Sequence, residues 1–203
     1  MTAAFPPRRP ALTARDLAQI AIFAALIAAL GLPGGVSIAG MAVPITFQTL
    51  GVMLAGAILG ARKGFLAVLL FDALAAAGLP LLSGGRGGIV WFTTSPAAGY
   101  PYGWLLGAAV IGALTARLLP RYPFWPALAA TVLGGVVAVY LVGAPVTAIN
   151  LGLPLWTAFA GCLAFLPGDI VKVVITVLVA RQVHRAYPGL IPARREKALV
   201  LAP

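Results

Sequence analysis

Apolar residues gather in six runs, at about 17–32, 45–61, 64–79, 103–119, 124–142 and 168–183. Short stretches rich in glycine and proline separate several of them: GLPGG, GLPLLSGGRGG, RYPFWP and GLPLW. None of the runs alternates with a period of two, so a β-barrel is excluded and each run is predicted to be a helix. Each is close to the ~17 residues that a helix needs to cross a hydrocarbon core. The pattern predicts one all-α domain over 1–203, an integral membrane bundle of six transmembrane helices. Residues 1–12 and 184–203 form tails.

Composition strengthens that expectation. The chain of 203 residues is 62% hydrophobic and 9% charged, with a mean hydropathy of +1.04. Soluble domains carry about 25% charged residues. The net charge of +10 does not indicate nucleic acid, because the basic residues sit in short clusters between apolar runs. With the N-terminus inside, twelve of the fourteen Lys and Arg fall on the inner side: Arg8, Arg9, Arg15, Arg62, Lys63, Arg117, Arg121, Arg181, Arg185, Arg194, Arg195 and Lys197. Positive charge favours the cytoplasmic face, so both termini are expected to be cytoplasmic. A single cysteine, Cys162, and a single histidine, His184, leave no zinc or haem set, and no internal disulfide. No Walker motif is present, so P-loop ATP hydrolysis is excluded. Neither metal nor cofactor is expected.

Four ionisable residues break the pattern. Arg86 lies in the glycine-rich LLSGGRGGIVWF and Lys172 near the outer start of the last run; Asp72 and Asp169 lie within runs. Charges within a membrane are costly and face the bundle interior or a wet cavity. At a spacing of three, Asp169 and Lys172 project from one side of a helix, and Pro167 and Gly168 are expected to break the chain before it. Two accounts stand: Asp169 caps the helix and neutralises Lys172, or the pair meets a ligand. Arg86 is either a headgroup-level loop residue or a fork for a carboxylate. Asp72 has no basic partner in its own helix. An interhelical hydrogen bond, a pairing with Lys172 and a ligand contact are all open to it. Thr46, Gln48 and Thr49 follow Pro44 and either cap a helix or line a pocket. Trp91, Tyr100, Trp104 and other aromatics gather at the outer ends, as an interfacial belt or as an apolar wall over a ring. Ala21, Ala25 and Ala29 form a small-residue face on the first helix, suited to close approach by another helix.

The stretches VPITFQTLGVMLAGAILGARKG, GLPLLSGGRGG, SPAAGYPYGWLLG and FLPGDIVK resemble the BioY family, the biotin-specific S components of energy-coupling-factor (ECF) transporters. The resemblance covers nearly the whole chain. It implies a multi-pass subunit of the bacterial cytoplasmic membrane that is not an enzyme and that captures biotin from outside. It implies partners: a transmembrane coupling subunit, a pair of ABC-type ATPases and membrane lipid. It favours Asp169, Lys172 and Arg86 as ligand contacts, with Asp72, Gln48, Thr46, Tyr100 and Trp91 as further candidates. Ala21, Ala25 and Ala29 match the face on which S components dock. The alternatives are an S component for another small vitamin, or an intramembrane carboxylate enzyme or proton relay.

Overall fold

A computed structural model describes residues 12–35 and 43–191. Arg8, Arg9, Arg194, Arg195 and Lys197, and with them most of both predicted tails, lie outside the described residues. Helix α1 spans Ala14–Ala29, α2 Gln48–Ala76, α3 Ile89–Thr94 and α4 Gly99–Leu118. Helix α5, Phe124–Val132, continues through a π-helical stretch, Leu133–Ala138, into α6, Val139–Leu151. Helix α7, Leu155–Cys162, leads through a 3-10 turn into α8, Leu166–Ala186. Among the described residues there is no strand; Leu82 and Arg86 form an isolated bridge.

Local chemistry sets the ends of these helices. Thr13 caps α1: its hydroxyl accepts from the Asp16 N–H at 3.2 Å, and the Asp16 carboxylate accepts from the Thr13 N–H at 3.1 Å, a reciprocal capping box. The runs expected as two spans, 45–61 and 64–79, form the single element α2. Its break is one residue, Gly60, at φ 82° and ψ 177°, a conformation that side-chain-bearing residues rarely adopt. The chain turns back there so tightly that a Cβ on Gly64 would stand 2.9 Å from the Ala55 carbonyl. No loop is needed, which is why the apolar pattern marked the turn a few residues late. Helix α6 also runs on to Leu151, past the expected 142, because its internal Pro145 does not end it. Pro167 and Gly168 do not precede α8 as a break; both lie in its first turn, where proline lacks only a hydrogen that has no helical acceptor.

The described residues therefore traverse the bundle six times: α1, the two arms of α2, α4, α5–α6 and α8. Helix α4 packs against α2, the π-helical stretch and α6. A Cβ on Gly107 would stand 2.7 Å from the Gly134 carbonyl, so these backbones meet without side chains between them. One end of the bundle gathers Arg15, Asp16, Arg62 and Lys63 beside residues 186–191. The other holds the start of α2, the 81–86 loop, and the starts of α4 and α8.

The core is apolar, yet the surface is apolar too and a few charged or polar side chains lie inside. Asp169, Lys172, Asp72 and Gln48 are buried, whereas Ile149 is 77% exposed, Trp125 74% and Trp156 72%. Gln48–Ala76, Phe124–Leu151 and Leu155–Ala186 are long and apolar enough to cross a membrane. An apolar exterior around an apolar core that encloses a few charged side chains is stable where lipid replaces water: this is a membrane protein.

Candidate functional site

At the end away from the basic cluster, a cavity of about 70 Å³ opens. Its polar floor comes from α8. Lys172 Nζ donates to Asp169 Oδ1 at 2.9 Å and to Thr49 Oγ1 at 2.9 Å. Tyr140 donates its hydroxyl to Asp169 Oδ2 at 2.7 Å. Asp169 and Lys172 are only 4% and 5% exposed. They are neighbours because a three-residue step along α8 stacks them on one face. Asp169 also stands in the first turn of α8, where the helix dipole favours an anion. A carboxylate has lone pairs for about four hydrogen bonds and an ammonium has three hydrogens, so both groups keep capacity for a ligand.

The mouth is built by the 81–86 loop, clamped by Gln48. The Gln48 amide donates to the Leu81 carbonyl at 3.1 Å and accepts from the Ser83 N–H at 3.0 Å. Arg86 Nε donates to the Ser83 carbonyl at 2.9 Å. The terminal amino groups of the exposed Arg86 guanidinium, the pair that grips a carboxylate end-on, make no hydrogen bond among the described residues. Between floor and mouth the wall is aromatic and apolar: Trp91, Tyr100, Trp104, Phe165, Ile45 and Val139. Tyr100 and Phe165 meet edge-on at 5.9 Å between ring centres.

Seven of the sequence candidates line this one cavity: Asp169, Lys172, Arg86, Gln48, Thr46, Tyr100 and Trp91. Asp72 does not line it. Its carboxylate is buried and has no hydrogen-bond partner among the described residues. Tyr140 and Phe165 also line the cavity and escaped the sequence reading, because an aromatic inside an apolar run looks like packing. A tyrosine one helix away from an intramembrane acid was the available signal for Tyr140. Ala21, Ala25 and Ala29 lie exposed on α1, while Ile20, Ala24 and Ile27 are buried against the bundle. Cys162 is buried beside Tyr100, with 3.5 Å from Sγ to the hydroxyl, and His184 is bonded at 2.8 Å to the Ala57 carbonyl at the basic end.

Known proteins match this chain along most of its length. The biotin transporter BioY of Rhizobium etli is 46% identical over 188 residues, covering 90% of this chain and all of that one. The biotin transporter BioY of Rhodobacter capsulatus is 46% identical over 192 residues, covering 89% and 98%. A crystal structure of the S-component for biotin from an ECF-type ABC transporter superposes with a TM-score of 0.81 at 34% identity, covering 89% of this chain and 97% of that one. The profile of the BioY family matches residues 4–189. With a charged floor, an aromatic wall and an arginine at the mouth, on a fold shared with that S-component, this chain belongs to the BioY family.

Proposed function

We propose that this chain is the biotin-binding S component of an ECF transporter: a transport subunit without enzymatic activity of its own. It is a six-span protein of the bacterial cytoplasmic membrane with both termini on the cytoplasmic face. The cavity opens outward and captures biotin. A transmembrane coupling subunit docks along Ala21, Ala25 and Ala29, and ABC-type ATPase subunits drive delivery inward. The gathering of Arg15, Arg62 and Lys63 at the end opposite the cavity supports that orientation.

One observation carries the reading: a single cavity holds a buried anion–cation pair at its floor and an exposed guanidinium at its mouth. Biotin has the complementary order. Its ureido group has two N–H donors and a carbonyl, which suit Asp169 and Lys172. Its bicyclic body suits the aromatic wall, and its carboxylate suits Arg86. An intramembrane enzyme working through a carboxylate pair is disfavoured, because Asp72 and Asp169 do not line the same cavity. Calorimetric titration of the purified chain, with mass spectrometry of what co-purifies, tests the reading. Intact biotin bound at one site per chain is the expected result. Tighter binding of another vitamin, or a chemically converted product, would overturn it.

A further inference from the structure

Two residues lining the cavity carry buried polar atoms with no partner among the described residues, Ser83 Oγ and Trp104 Nε1. They are not equivalent. A hydroxyl turns its hydrogen about the Cβ–Oγ bond and acts as donor or acceptor, whereas an indole N–H is a donor only, fixed in the ring plane. Buried tryptophans normally find an acceptor for that hydrogen. Trp104 has no freedom to search for one. Its ring packs on Phe71 at 6.2 Å between centres. The preceding residue, Gly103, is pressed on α6, where a Cβ would stand 2.8 Å from the Val139 carbonyl. The indole is thus held in the wall of the cavity, 5% exposed like Lys172 and unlike Arg86.

We propose that the Trp104 indole N–H donates a hydrogen bond to the bound ligand and selects for an acceptor oxygen on its buried end. For biotin that acceptor is the ureido carbonyl, with the Lys172 ammonium as a second donor and Asp169 left to receive the ureido N–H groups. The inference rests on the biotin reading above. It makes Trp104 a specificity residue, one that rejects ligands whose buried end offers only donors, because a donor facing a donor leaves both unpaired.

The test replaces Trp104 with benzothienylalanine, which keeps the bicyclic shape and puts sulfur in place of the N–H. Biotin affinity should fall roughly tenfold, while the melting temperature of the ligand-free protein stays unchanged. Unchanged affinity would overturn the inference. So would a matching loss of ligand-free stability, which marks a packing role. A wild-type chain that binds no biotin would sink the assignment of biotin itself and take this inference with it. Normal wild-type binding with an indifferent position 104 would sink this inference alone.

Discussion

The protein contains two aspartate–lysine ion pairs of nearly the same length, one at each end of the bundle, and they do different work. Lys63 meets Asp16 at 3.1 Å, with side chains 17% and 25% exposed; Lys172 meets Asp169 at 2.9 Å, with side chains 7% and 6% exposed. The first pair ties α2 to the capped start of α1, and Lys63 spends a further donor on Gln19 at 2.7 Å. It is a partly wet fastening between two helices, and such pairs contribute little to stability. The second pair is nearly dry; it forms the floor of a cavity, and its bonds to Thr49 and Tyr140 tie α8 to α2 and α6. A buried pair costs several kcal/mol in lost hydration per ion and is a poor device for stability alone. On the proposal made above, unequal burial at nearly equal length separates a structural pair from one that a ligand completes.

The comparison breaks most sharply at Lys172. We predict that Asp169→Asn or Lys172→Ala lowers biotin affinity at least ~tenfold, since each strands a buried partner, whereas Lys63→Ala leaves the affinity within about twofold. The double variant Asp169→Asn/Lys172→Met buries no lone charge. It should fold and still fail to bind; calorimetry beside a melting curve reads both properties. Equal sensitivity at the two ends would refute the distinction.

A smaller effect is expected at the mouth. Arg86→Ala should weaken free biotin by about three- to tenfold, the range for an exposed charge-assisted contact, and should not change binding of biotin amide, whose carboxylate is masked. A loss shared by acid and amide would reassign Arg86 to shaping the loop through Ser83. The smallest effect belongs to the wet pair. Hydrogen bonds from the Thr13 backbone and side chain, and then Lys63, hold the Asp16 carboxyl down at about 2 against an ordinary 3.8. A carboxyl depressed by folding stabilises the fold above its unfolded value and loses that contribution as pH falls through the folded one. Wild type should therefore melt slightly higher than Asp16→Ala near pH 6, and the gap should close between about pH 4 and pH 2. A gap that persists at pH 2 would show that the carboxylate's charge is not what fastens the two helices.

The dry pair was legible in the sequence because charge is scarce there: two opposite charges three residues apart in an apolar run point to one face of one helix. The wall was only partly legible. Trp91 and Tyr100 stood near helix ends, but Tyr140 and Phe165 sit in stretches where an aromatic residue carries no signal of its own. Asp72 shows the converse limit. It was as conspicuous as Asp169, yet its place along α2 takes it out of the cavity, and rotation about a helix axis cannot be fixed by one residue. The Gly60 turn was hidden for a related reason. A reversal made by one backbone conformation leaves no polar gap, so hydropathy blurred it into the neighbouring Arg62 and Lys63.

That single-residue reversal also makes the entrance of the chamber a local structure. Because α2 doubles back at Gly60, Gln48 at its start reaches Ser83 beyond its end, a clasp that closes over 35 positions of chain. The electrically costly base is different: it joins Asp169 and Lys172 of α8 to Tyr140 and Thr49, segments far behind them in the chain. The entrance is closed by neighbouring sequence, whereas the base exists only once the last helix is packed against the rest.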